Sequence, residues 1–88
     1  MSINPKIENI PKTLISLKHL ECNGNELTQL PDTLTQLICL ECSYNSILEI
    51  PNTLTKLNHL YCKGNKLTQL PDTLINLRIL DCRENHIK

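Results

Sequence analysis

The feature that most constrains this chain is a period of 20 residues that never slips. Proline recurs at Pro11, Pro31, Pro51 and Pro71, and threonine two places on at Thr13, Thr33, Thr53 and Thr73. Leucine fills three further columns, beginning at Leu14, Leu17 and Leu20, cysteine fills Cys22, Cys42, Cys62 and Cys82, and asparagine fills Asn25, Asn45, Asn65 and Asn85. Seven columns identical in all four copies lie far outside composition bias. A repeat this short cannot bury its own apolar face, so the copies must stack and share one core. A weaker period of 40 lies on top: residues 67–74 repeat residues 27–34 unchanged, and His19-Leu20 matches His59-Leu60.

Each copy reads L-x-x-L-x-C-x-x-N-x-L/I, followed by x-x-L/I-P-x-T-L-x-x. From residue 7 to residue 88 this resembles the leucine-rich repeat family in a short 20-residue form, with cysteine at a strand position where the family more often carries an aliphatic residue. The short proline-containing spacing is similar to that of bacterial secreted effectors. The cysteine and Pro-x-Thr-Leu details are similar to repeats in amoebal and giant-virus proteins. The resemblance implies an α/β-type repeat solenoid: a right-handed leucine-rich-repeat superhelix with a four-stranded parallel sheet on the concave face, little or no true helix, and a role in protein–protein interaction.

The residues support the same fold independently. In 19–23 apolar Leu20 and Cys22 alternate with His19, Glu21 and Asn23, which is strand periodicity. The pattern recurs at 39–43, 59–63 and 79–83, giving four short strands in one domain, 1–88. Each strand is followed by an identical return path, and such a crossover makes neighbours parallel. The return passes through a proline, which cannot continue a ladder, and then turn-forming Asp32-Thr33 or Asp72-Thr73. It has room for extended or 3₁₀ turns. The asparagine at each strand exit is expected to satisfy backbone groups where the coil turns.

Several chemistries fall away. Nine Lys and Arg against nine Asp and Glu leave no net charge, without the basic surface that nucleic-acid affinity requires. The aromatic side chains are Tyr44 and Tyr61 only, too few for base stacking. No apolar run reaches the ~18 residues of a membrane span, and residues 1–6 do not read as a secretory signal. No Ser/His/Asp set, Gly-rich phosphate loop or enclosed carboxylate pair is legible, so no enzyme and no cofactor are expected. Cys39-Leu40-Glu41-Cys42 spells C-x-x-C, but residues three apart on a strand face opposite ways. The repeat cysteines therefore read as a buried, reduced column acting as small hydrophobes, which suits an intracellular setting or an effector exported without a visible signal. A distant alternative is a metal-binding surface at His19, Cys39 and His59, which share one outward column; three ligands in a straight row make poor tetrahedral geometry.

What remains is the concave face and the ends. One outward column is Glu21, Glu41, Tyr61, Asp81, and the next is Asn23, Ser43, Lys63, Arg83. Tyr and Arg are the usual interface anchors, so Glu41, Tyr44, Tyr61, Lys63 and Arg83 are the candidate protein-binding residues. Four rungs offer ~300 Å², against the ~800 Å² per partner of a standard interface. At the amino end Ile7 and Ile10 should cover the first rung only in part. At the other end the sequence reaches His86-Ile87-Lys88 inside a repeat, leaving 79–83 as an open edge with Leu77, Leu80, Cys82 and Ile87 uncovered. Open edges pair with something, so Ile79, Leu80, Cys82 and Ile87 form a candidate self-association edge, giving a two-fold homodimer or an end-to-end oligomer. Residues 1–44 carry three Lys against five acids and residues 45–88 six bases against four, a mild polarity favouring head-to-tail contact. The competing expectation is a piece of a longer array, or a scaffold without a specific partner.

Overall fold

In a computed structural model of the chain, which describes residues 1–2 and 7–87, four strands form one parallel sheet in sequence order. They are β1 (His19–Glu21), β2 (Cys39–Glu41), β3 (His59–Tyr61) and β4 (Ile79–Asp81). Residues 3–6, most of the opening stretch considered above as a leader, lie outside the described residues, as does Lys88. Register follows the 20-residue period: Leu20 stands opposite Leu40, Leu40 opposite Leu60, and Leu60 opposite Leu80. No helix occurs among the described residues.

The strands are two residues shorter than the alternation suggested, and the cause is side-chain competition for the ladder. Past Cys22 the amide of Ser43 donates to the Asn23 side chain at 2.7 Å, and the Cys22 carbonyl accepts from the Asn25 and Asn45 side chains. Asn, like other short polar residues, offers the backbone an alternative to the ladder.

The asparagine column pins each rung to the one before it. Asn65 Nδ2 donates to the carbonyls of Cys42 and Cys62, both at 3.0 Å, while its Oδ1 accepts from the Ile47 amide at 3.0 Å. Asn45 and Asn85 repeat the arrangement one rung down and one rung up. The threonine column does similar work on the return path: Thr33, Thr53 and Thr73 donate to the carbonyls of Lys12, Asp32 and Asn52, all in the preceding rung. The return itself is a run of turns, with Leu54 and Leu57 amides reaching back three residues to Pro51 and Leu54.

Behind the sheet the leucine, isoleucine and cysteine columns form one continuous core from Ile10 to Leu74. Every inner-rung member of the Leu20 and Cys22 columns is essentially buried. The amino end is closed better than the sequence suggested. The Met1 ammonium donates to the His19 carbonyl, the Glu21 amide donates to the Met1 carbonyl at 2.7 Å, and Ser2 bridges Glu21 in parallel. Ile10, in the column of Leu30 and Ile50, is buried in the first rung. Nothing in the repeat pattern could announce it, because residues 1–2 belong to no repeat.

Candidate functional site

The outward face of the sheet carries its columns in register. His19, Cys39, His59 and Ile79 form one row, and Glu21, Glu41, Tyr61 and Asp81 the next. Among the described residues no group of three or more His, Cys, Asp or Glu side chains lies close enough to hold a metal ion. The row His19, Cys39, His59 thus stays a row. Burial and the nearby carboxylates of Glu41 and Glu21 push the Cys39 thiol pKa up, which keeps it in its less nucleophilic form.

The candidate binding residues divide into two groups. Glu41 and Tyr61 are neighbours across β2 and β3, both half-buried in the sheet face. Tyr44, Lys63 and Arg83 belong to the rim where the strands end. There the Lys63 ammonium lies 5.8 Å from the centre of the Tyr44 ring, a cation–π contact, and 3.2 Å from the Glu84 carboxylate. The Tyr44 hydroxyl and the Glu84 carboxylate together raise the Lys63 pKa above its usual value. Arg83 turns back on its own strand and grips Asp81 with two side-chain bonds at 2.9 and 2.8 Å. Those bonds hold the Asp81 carboxyl down to about 2. The fork geometry of guanidinium on carboxylate accounts for the strength of the effect. The basic side chains of this rim are therefore already neutralised, and Glu84, which the outward columns do not include, is part of the cluster.

Position 44 carries a backbone constraint that the sequence half discloses. Residues 24, 44, 64 and 84 all take left-handed backbone angles, with φ of 66°, 58°, 71° and 57°. Glycine fills two of these positions, as expected where φ is positive. Tyrosine and glutamate fill the others at a cost of about 1–2 kcal/mol each. For Tyr44 there is a compensating contact. Its ring lies so close over Gly64 that a Cβ there would come within 2.6 Å of the ring's Cδ1. The missing side chain of Gly64 is the seat of the Tyr44 ring, which still leaves half of the tyrosine exposed.

The candidate edge behaves differently in each member. Ile79, Leu80 and Ile87 are 45%, 43% and 38% exposed, while Cys82 and Leu77 are half-buried. All five cysteines are free. Burial pushes the Cys22 and Cys62 thiols up to about 12 and the Cys42 thiol well above its ordinary value. On the return side, open-mouthed clefts lie between the proline-bearing turns, lined by residues such as Asp32, Glu49 and Pro51.

The leucine-rich repeat family model matches the chain at residues 16–37 and again at 56–77. The chain belongs to the leucine-rich repeat family. The two matched stretches are 40 residues apart, one each side of β2, and both run from just before a strand through the turn that leads to the next. A comparison with curated proteins returns no match. Leucine-rich repeats generally mediate protein–protein interaction, and the family is typically non-enzymatic. In a leucine-rich repeat of this kind the outward sheet face and its rim carry the residues that vary between rungs, while the inward columns hold the coil together. Among the described residues no helix is long and apolar enough to cross a membrane.

Proposed function

We propose that this leucine-rich repeat chain is a non-enzymatic interaction module that presents its outward sheet face to a protein partner and self-associates through the β4 edge. The partner face centres on Glu41, Tyr44, Tyr61, Lys63 and Arg83. The seating of Tyr44 on Gly64 supports this, because a rigid, half-exposed aromatic loses little entropy when a partner covers it. The free thiols suit a reducing compartment, consistent with an intracellular site of action.

The observation that carries the self-association reading is Leu80. Its register partners Leu20, Leu40 and Leu60 are at most 1% exposed, whereas Leu80 is 43% exposed. Ile79 and Ile87 beside it are uncovered too, and no Lys or Pro guards the β4 edge in the way exposed edges are usually blunted. The competing reading, a portion of a longer array, draws on the same surface, since a further rung would cover Leu80 equally well.

Light scattering across a dilution series in reductant separates the two. Self-association gives a molar mass near twice the 10.1 kDa of one chain, and Leu80→Lys returns it to a single chain by placing a charge in the contact. A monomer at every concentration, or an unchanged doubled mass in the Leu80→Lys variant, overturns the reading.

A further inference from the structure

Self-association through β4 can occur in only a few registers, and the groups left open at this edge select one of them. We infer that two copies meet as antiparallel β4 strands with Leu80 opposite Leu80 of the second copy, making one continuous eight-stranded sheet. The inference rests on the self-association reading above and adds the geometry to it.

The inner rungs show which backbone groups a strand offers to its next neighbour. Cys22, Cys42 and Cys62 amides donate to Glu41, Tyr61 and Asp81 carbonyls, and the Lys18 and Ile38 carbonyls accept from the following rung. On β4 the amides of Ile79 and Arg78 point the other way, to the Asn58 carbonyl, and the Asp81 carbonyl is taken by Cys62. The open groups are therefore those of even-numbered residues. Along the strand they are the Leu80 amide and carbonyl, the Cys82 amide and the Arg78 carbonyl. Past its end comes the Glu84 amide, whose counterparts in Gly24, Tyr44 and Gly64 donate to the next rung. An antiparallel pair must place such residues opposite one another, because only they exchange bonds across the edge.

Four symmetric registers meet that condition. Pairing Arg78 with Leu80 of the second copy sets Ile79 opposite Ile79 but makes only two bonds, from Leu80 amides to Arg78 carbonyls. The Arg78 amide and the Asn76 carbonyl are already taken by Asn58, so the Leu80 carbonyls and Cys82 amides stay open. Pairing Leu80 with Cys82 of the second copy sets the two Asp81 carboxylates directly opposite, and like charges opposed across strands are destabilising. Pairing Cys82 with Cys82 requires Glu84 to extend the strand, yet Glu84 has φ of 57°. It also requires the Cys82 carbonyl, which already accepts from Asn85 at 3.0 Å. Pairing Leu80 with Leu80 uses every open group of residues 78–82: two bonds between the leucines and two from Cys82 amides to Arg78 carbonyls. It sets Ile79 opposite Asp81, with no like charges opposed. Asp81 is neutralised within its own strand by Arg83, and Lys63 by Glu84, so the edges approach without net repulsion. The two-fold axis stands perpendicular to the sheet, so both cores lie on the same side and Leu80 meets Leu80 there.

Disulfide trapping reads the register directly. In this arrangement Ile79 and Asp81 of the second copy form a non-hydrogen-bonded pair with Cα atoms about 4.5 Å apart, inside the range a disulfide spans. Single variants Ile79→Cys and Asp81→Cys, each also carrying Cys39→Ser, are checked for doubled molar mass, then oxidised with diamide separately and as a mixture. The expected result is a crosslinked dimer from the mixture, with the 79–81 linkage found by mass spectrometry, and little from either variant alone. Self-crosslinking of Asp81→Cys overturns the register in favour of the Leu80–Cys82 pairing, and self-crosslinking of Ile79→Cys overturns it in favour of the Arg78–Leu80 pairing. A Cys82–Cys82 dimer from the unmodified chain overturns it in favour of the Cys82–Cys82 pairing. Doubled mass with none of these linkages rejects the β4 pairing while self-association stands, and a monomer removes both.

Discussion

Two neighbouring rungs of this molecule share nearly all their repeat residues and live in different environments. Leu60, Cys62 and Asn65 in the third rung are buried; Leu80, Cys82 and Asn85 in the fourth are exposed or half-buried. The local bonds hardly change. Asn85 donates to the Cys62 and Cys82 carbonyls and accepts from Leu67, just as Asn65 donates to Cys42 and Cys62 and accepts from Ile47. The difference comes wholly from the neighbour on one side. In a solenoid a rung's stability is its own contribution plus that of its two interfaces, and the fourth rung has one interface where the third has two.

That comparison is broken most severely at the asparagines. Asn65→Ala leaves the Ile47 amide without its partner in the middle of the core. It also takes one of two asparagine donors from each of the Cys42 and Cys62 carbonyls, which keep Asn45 and Asn85. One unsatisfied buried group costs about 1–3 kcal/mol, so a loss of about 2 kcal/mol is expected, a large share of what a domain of this size possesses. Asn85→Ala frees groups that water can reach, and about 1 kcal/mol is expected. Urea unfolding midpoints of the two variants, measured below the concentration at which chains associate, test this. Equal losses would show that the fourth rung is as enclosed as the third, which the exposure of Leu80 contradicts.

How much of this was legible in the sequence depends on whether a residue's role repeats. The columns of Leu20, Cys22 and Asn25 announced the strands, their parallel order, the core and the capping role of asparagine, because four copies average out local accident. The open character of Leu80 was legible too, since it follows from rung order alone. What the sequence did not disclose was whatever occurs once. Met1 and Ser2 close the first rung through backbone bonds that carry no residue signature. Glu84 joins Lys63 and Tyr44 because a left-handed residue turns its side chain out of the strand columns. Arg83 appeared in its column as a candidate binding residue, but its reach back to Asp81 is a side-chain choice that no repeat column records. The glycines at 24 and 64 did carry a signal: their shared column with Tyr44 marks a position needing positive φ, and it points to Tyr44 as the residue held there against its preference.

The Tyr44 seat sharpens the contrast between inner rungs at a smaller scale. Gly24 and Gly64 have nearly the same φ, yet a Cβ on Gly24 meets nothing within 4 Å while one on Gly64 runs into the Tyr44 ring. Gly24→Ala should therefore cost only the backbone preference, about 1 kcal/mol. Gly64→Ala should cost about 1 kcal/mol more, by displacing the ring and its contact with Lys63. Placing both alanines in a Tyr44→Gly background removes the ring, so the two costs should converge. Unfolding midpoints of the four variants decide it: a difference that survives without Tyr44 would mean that the ring is not what makes position 64 tighter than position 24.

The smallest effect separates the Asp81–Arg83 pair from the acids beside it in the same outward row. A carboxyl whose folded pKa is depressed stabilises the fold above its unfolded pKa and loses that contribution as pH falls through the folded value. For Asp81 the window runs from an unfolded value of about 3.9 down to about 2. The pair is exposed, and surface pairs contribute little to stability, so the readout is the titration itself. A carboxyl carbon NMR titration should place the Asp81 midpoint near pH 2 in the native chain and near the ordinary aspartate value in Arg83→Gln. An Asp81 midpoint that stays low in Arg83→Gln would assign the depression to the Arg83 backbone amide, which lies 3.2 Å from Oδ1, and would release the guanidinium to meet a partner on the outward face.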